Sequence, residues 1–356
     1  GRRACLLAYV GGVLPSDMKA ARNRRTALID AGAAAGISSS GEQFDFPIYR
    51  RAFLSRPTSW AARDKRADIE GAVSPQYMVA LVTAAGGDWD KLRAAARSVD
   101  YAGQSLGLTV DLDVQSEVER INSNNIIGKI AGRKPGSGAV IFMGHWDHFG
   151  ICRPEGEEDR ICNGAVDNAS GLAVLTEVAK RLGKAKLDRD IYFVGTTAEE
   201  SGLLGARAFA ADPAVPLDQI KIVLNVDTVA IAPRGAKVAI IGRGKTGLDA
   251  EVEAVARKLK RKIEPSTDAN AFLQRQDGWA LTEKNVPALM VGGAFADLGK
   301  MEAFLKTDYH GPRDEVVETL QLGGAAEDAD LHVELGRYFA DARKFKPKKA
   351  EKGTGE

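Results

Sequence analysis

The chain is predicted to be α/β: a three-layer α/β/α sandwich around a mixed, mostly parallel twisted sheet, with a smaller module on its N-terminal side. Short, continuously apolar runs at 139–143, 190–194 and 220–224 have the length and β-branched content of strands buried on both faces. Helical spacing of apolar residues separates them, as in a parallel sheet. Each run also stops at or just before a side chain able to bind a metal: His145, Glu199 with Glu200, and Asp227. Open α/β sheets place ligands beyond the C-terminal edge of their strands, so these dispersed residues are expected to converge there.

In chain order, residues 3–10 read as a strand and 19–35 as a helix ended by Gly36. Residues 76–84 and 89–99 follow as helices, punctuated by Gly86, Gly87 and Asp88. This Ala-, Gly- and Arg-rich region, 1–108, holds no cluster of ligand residues and reads as a separate module. A period-two stretch at 109–114 opens the second region, 109–343. Residues 125–130 are expected to pair with the strand at 139–143 across the turn at 134–138. After Asp167, the short polar groups of Asn168 and Ser170 precede a helix carrying Leu172, Leu175, Val178 and Leu182. The alternation continues with helices at 201–211 and 248–260, strands at 237–241 and 286–291, and a last amphipathic helix at 328–342. Residues 344–356 are charged and poor in apolar side chains, the composition of a disordered tail.

With 356 residues, 44% hydrophobic and 27% charged, the composition is that of a soluble globular protein large enough for two domains. Lys and Arg number 49 against 48 Asp and Glu, which gives no electrostatic drive toward nucleic acid or an acidic membrane. The basic clusters Arg22, Arg24, Arg25 and Lys258, Lys260, Arg261, Lys262 read as solvated helix faces. No apolar stretch approaches the roughly 20 residues that span a bilayer. The chain starts at Gly1 and is strand-like from Ala4, so upstream sequence is expected to have been processed or truncated, with loss of an export signal one way to a periplasmic or secreted destination. Cys152 and Cys162 bracket the loop between the first two ligand candidates; they would close it as a disulfide in an exported protein, and two buried free thiols are the equal alternative.

His145, Asp167, Glu200, Asp227 and His310 supply two imidazoles and three carboxylates, a donor set for two Zn2+ ions. If Asp167 bridges, one ion takes His145 and Asp227 and the other takes Glu200 and His310. Ions roughly 3.5–4 Å apart would share a hydroxide, polarise a carbonyl and steady the oxyanion. Glu199 is then free to act as general base. Asp147, two residues past His145, is expected to accept the imidazole's second N–H and fix its tautomer. Tyr309 is expected to donate its O–H to charge developing on the substrate.

The ordered set Gly144-His145-Trp146-Asp147, Asp167-Asn168-Ala169-Ser170-Gly171, Ala198-Glu199-Glu200, Asn225-Val226-Asp227 and Tyr309-His310-Gly311-Pro312 resembles the M28 family of zinc aminopeptidases. The resemblance covers roughly residues 108–342. It implies co-catalytic zinc on the same five ligands, Glu199 as base, and peptide substrates with a free N-terminus. Arg275-Gln276-Asp277-Gly278 occupies the place of the family's RSDH-type segment near the substrate pocket and departs from it at Ser and His. The first region resembles part of a protease-associated domain, which would lid the cleft and limit substrate size.

Other features take plainer readings. His332, inside the final helical pattern, reads as a packed or solvent-facing residue, while His148, directly after Asp147, is weighed for a pocket role and given no primary ligand role. The Gly242–Gly247 segment fits GxGxxG, but no other cofactor element accompanies it, so a tight strand–helix turn is the reading. The acidic residues Glu157, Glu158 and Asp159 read as a solvated loop rather than a calcium site. The rival functions are a glutaminyl cyclase or carboxypeptidase on the same scaffold, or a receptor-like relative without catalysis.

Overall fold

The computed structural model describes residues 4–8, 26–39, 58–59, 68–96, 98, 101 and 103–347. Contacts divide the chain into two compact units, Gly1–Ile121 and Asn122–Glu356.

In the first unit, β1 (Ala4–Ala8), β2 (Ala35–Ser39) and β3 (Ile69–Val73) form a parallel sheet in that order. Helices α1 (Pro75–Ala84) and α2 (Trp89–Ala95) follow. Ser74 and Asp88 cap them, accepting the backbone N–H groups of Tyr77 and Lys91. The helix expected over 19–35 is helical at 26–30, and Gly32 turns the chain into β2 at Ala35. The missed strands have small side chains that give no clear period. The expected residues 3, 9–10, 19–25, 97, 99 and 348–356, including Arg22, Arg24 and Arg25, lie outside the described residues. The period-two stretch at 109–114 forms no strand: it is almost wholly exposed and has no ladder partner among the described residues.

The second unit is built on a mixed six-stranded sheet. Its strands are β4 (Ile126–Ile130), β5 (Ala139–His145), β8 (Asp190–Thr196), β9 (Ile220–Asn225), β10 (Ala239–Ile241) and β11 (Ala288–Gly292). Across the sheet the order is β10-β11-β9-β5-β8-β4; the inner four strands are parallel and the two edge strands antiparallel to their neighbours. A two-stranded ribbon, β6 (Gly150–Ile151) with β7 (Ile161–Cys162), stands apart from it.

The expected pairing of 125–130 with 139–143 is not formed. All seven residues of β5 are buried, and it lies between parallel neighbours β8 and β9. β4 exposes Ile126, Ile127 and Lys129, and takes the edge beside β8 instead, where Lys129 Nζ lies 2.8 Å from Asp190. An all-apolar strand is best buried in the sheet centre, while a strand carrying a charged side chain suits the edge.

The sandwich has helices on both faces. On one, α3 (Gly171–Leu182), α5 (Asp249–Lys258) and α8 (Leu322–Ala340) cover a core in which Val178, Leu182, Leu331 and Phe339 meet Val140, Phe142 and Ile191. Gly336 permits the close approach of α8, because a Cβ there would sit 2.7 Å from Leu182 Cδ1. On the other face, α4 (Leu204–Ala211) and α6 (Gly278–Thr282) pack Ala206, Phe209 and Leu281 with Ile141, Met143 and Val194. Alternate residues of β5 thus enter opposite cores, as period-two geometry requires. α7 (Leu298–Thr307) closes a smaller cluster at the sheet's end with Met290, Phe295 and Met301.

Two expectations at the chain's C-terminal side change. Phe345 is buried in the first core and its carbonyl accepts Arg189 Nη2 at 2.8 Å, so packed structure continues past residue 344. Arg261, grouped with solvated lysines, is buried and paired with Asp328 at 3.2 Å. The Gly242–Gly247 segment is a tight turn between β10 and α5; Asp249 Oδ2 accepts the Gly244 N–H at 2.7 Å, using an amide that a phosphate would need.

Candidate active site

The parallel register puts the site together. His145, the last residue of β5, lies beside Thr196 of β8, and Met143 beside Asn225 of β9. Glu199, Glu200 and Asp227 follow within a few residues of those strand ends. Asp167 sits on an irregular turn, Ala165–Ser170, that precedes α3 and contains a cis Asp167–Asn168 peptide. The Asp314 carboxylate holds this turn, accepting the N–H groups of Val166 at 2.7 Å and Asp167 at 3.1 Å. Asn168 Oδ1 accepts Gly171 N–H at 3.1 Å and starts the helix. His310 follows α7 with a left-handed backbone, φ 55°, and its ring stacks on Tyr309 with centroids 3.6 Å apart. A non-glycine residue in that region is uncommon and concentrates where function fixes a side chain.

All five ligand candidates come together. His145 Nε2 lies 3.1 Å from Asp167 Oδ1 and 3.7 Å from Asp227 Oδ2. His310 Nε2 lies 3.3 Å from Asp167 Oδ2 and 3.0 Å from Glu200 Oε2. Asp167 therefore turns one oxygen to each imidazole. Tetrahedral zinc with N and O ligands at roughly 2.0–2.1 Å spaces its donors about 3.3 Å apart, and these separations bracket that value. His145 Nε2, Asp167 Oδ2 and His310 Nε2 are buried without a directed hydrogen bond. Buried polar atoms seldom go unsatisfied, and cations held by these groups would satisfy them. The donor set fits zinc.

Charges in the cluster are strongly coupled. Burial alone would depress both histidines, but Asp227 and Asp167 hold His145 well above its ordinary range, and Asp167 with Glu200 raises His310 to about 9. Against the opposing effect of burial, the same imidazoles hold Asp167 below the usual carboxylate range; His148 and His310 do so for Glu200. Glu199 goes the other way. Burial pushes it well above its ordinary value despite the pull of His145, and Asp277, Asp227 and Glu200 add to the rise.

Asp147 differs from expectation. The group nearest His145 Nδ1 is the Asp147 backbone carbonyl at 3.0 Å, while its carboxylate is 3.8 Å away. A carbonyl only accepts, so Nδ1 carries the hydrogen and Nε2 presents its lone pair to the ligand cluster. The carboxylate is engaged elsewhere, accepting the backbone N–H of Glu199 at 3.0 Å and of Glu200 at 3.4 Å.

Glu199, Asp167, Asp227, Tyr309 and Arg275 share one pocket with Phe272, Met290, Phe295, Met301 and Leu305. Arg275 Nη2 donates to the Tyr309 hydroxyl at 3.3 Å. Asp277 is buried, held by Thr196 Oγ1 at 2.5 Å and raised to about 7 by burial; it does not line the pocket.

Two participants, Asp314 and Thr196, went unseen in the sequence, where His148 is weighed for a pocket role. Asp314 and Thr196 carry no local signal for their roles. His148 directly follows the His145–Asp147 motif, and its Nδ1 lies 2.7 Å from Glu200 Oε1. His332 is buried in the core, its Nδ1 2.7 Å from the Asp328 carbonyl. Cys152 and Cys162 form a disulfide across the loop.

Residues 125–332 match the model of peptidase family M28. The chain belongs to that family. Relatives include a probable zinc metalloprotease of Pyrenophora teres f. teres, 26% identical over 276 residues, covering 72% of this chain and 55% of that protein. Leucine aminopeptidase 2 of Arthroderma otae is 30% identical over 244 residues, covering 66% and 46%. The chain thus spans about half the length of the curated relatives it matches. Among solved structures, the aminopeptidase from Aneurinibacillus sp. strain AM-1 is similar in fold, with a TM-score of 0.56 at 19% identity over 95% of this chain and 74% of that one.

Proposed function

We propose that this M28 protein is a zinc aminopeptidase that removes apolar N-terminal residues from peptides. The observation that carries the reading is Asp167, whose two oxygens face His145 and His310 separately beside a pocket walled by Glu199. His145, Asp227 and Asp167 would hold one zinc ion, and His310, Glu200 and Asp167 a second. Zinc bound there supplies Lewis acidity toward water and the scissile carbonyl.

The remaining chemistry belongs to side chains. Glu199 is no part of either donor set; it takes a proton from the attacking water and delivers it to the departing amine nitrogen. Burial raises its proton affinity, which helps it hold the proton between the two transfers. Because Arg275 donates to the Tyr309 oxygen, the hydroxyl hydrogen of Tyr309 is free to donate to the carbonyl oxygen as charge builds there. The acidic end of the pocket, Asp167, Glu199 and Asp227, favours a free ammonium group. Phe272, Met290, Phe295, Met301 and Leu305 favour an apolar first side chain. The Cys152–Cys162 disulfide supports an oxidising destination, periplasmic or secreted.

The test is a panel of aminoacyl anilides and N-acetylated counterparts, assayed before chelation, after it, and after zinc return. Leucyl and methionyl substrates with free amines should lead, and only with zinc. Equal turnover of blocked substrates, or turnover undiminished by chelation, would overturn the reading.

A further inference from the structure

We propose that His148 is a positioning residue for the second zinc ion: it donates from Nδ1 to Glu200 Oε1 and so turns Glu200 Oε2 toward His310. This deepens the functional reading above and rests on it.

Glu200 is gripped from two sides by consecutive residues. Asp147 accepts its backbone N–H at 3.4 Å, and His148 Nδ1 lies 2.7 Å from Oε1. Oε2 is left 3.0 Å from His310 Nε2. A carboxylate whose one oxygen is engaged by a fixed donor presents the other in a single direction.

His148, Asp167 and Glu200 stand close enough together to hold an ion, and the length of the His148–Glu200 contact is what favours a positioning role. Atoms bound to the same tetrahedral zinc stand about 3.3 Å apart, close to the 3.0–3.7 Å among the assigned donors. The His148–Glu200 contact, at 2.7 Å, has the length of a charge-assisted N–H···O bond.

Packing holds the imidazole in place. Its side chain is 8% exposed, and it meets the Phe149 and His310 rings edge-on with centroids 5.1 and 5.9 Å away. Gly164, with φ 68°, lies against it: a Cβ there would come 2.6 Å from His148 Cγ. The residue just before the Asp167 turn is thus kept small where His148 passes.

Zinc stoichiometry and affinity are measured by chelator competition on the full chain, with thermal melting as the check on folding. In His148→Phe, which keeps the ring and loses the donor, one ion should bind about 10–100-fold more weakly and the other unchanged. His148→Asn, which restores an N–H donor near Nδ1, should bring the weakened ion back to within about threefold, by the same donor argument. Should His148→Phe fail to fold, His148→Leu takes its place. Parent-like affinity for both ions in the donorless variant would overturn the proposal. A loss in His148→Asn as large as in His148→Phe would also overturn it, pointing to His148 as a ligand. A parent protein that binds no zinc pair would instead sink the reading of the whole site.

Discussion

Asp147 Oδ1 accepts the backbone N–H of Glu199 at 3.0 Å, and its second oxygen reaches the N–H of Glu200. One carboxylate just past β5 thus fixes the backbone of both candidate acids after β8. Asp147→Ala should lower kcat about 10–100-fold, the range for losing an outer partner of a metal site. Asp147→Asn, which keeps one acceptor oxygen, should lose less. Steady-state kinetics on a leucyl anilide, with zinc content measured in parallel, checks both.

Glu199→Gln should reduce turnover by about two to four orders of magnitude while leaving zinc content unchanged, because a general base is removed and no ligand is touched. Metal analysis beside the kinetics distinguishes this from simple loss of zinc. Retained turnover would remove Glu199 from the base role.

Zinc binding should be pH-dependent. In the metal-free protein His310 is raised to about 9, against the pull of burial, by Asp167 and Glu200, so below that pH a proton occupies the nitrogen that zinc requires. Affinity should therefore strengthen as pH rises toward 9, by up to about tenfold per unit for each proton displaced, and His145, also held above its ordinary range, adds to that dependence. Calorimetry in buffers of different ionisation enthalpy should register proton release at pH 7.

Asp328→Ala should destabilise the fold by about 3–5 kcal/mol, since it strands the buried Arg261 guanidinium and removes the acceptor for the Gly293 N–H. Urea unfolding of the zinc-free protein measures it. A loss below about 1 kcal/mol would show that water reaches Arg261.

Three of the five ligand candidates, His145, Glu200 and Asp227, were legible because each ends or follows a strand that the apolar pattern itself reveals, and the sheet's parallel register brings strand ends to one edge; Asp167, on a turn, and His310, after α7, were legible only through the ordered motif set. β5 and β9 could be read as runs buried on both faces, and the spacing of Val178 and Leu182 marked α3. The place of β4 could not. Its residues suit either edge, and only the burial of β5 between β8 and β9 decides that it pairs with β8.

Sequence by itself determined the layered α/β architecture and the donor set, because burial periodicity and ligand chemistry are properties of residues in order. Tertiary structure decided what each donor faces: that His145 Nδ1 meets a carbonyl rather than the Asp147 carboxylate, that His148 reaches Glu200, and that Asp314 pins the Asp167 turn. Those are contacts a few ångströms long between groups up to 148 residues apart, and backbone packing alone sets such distances.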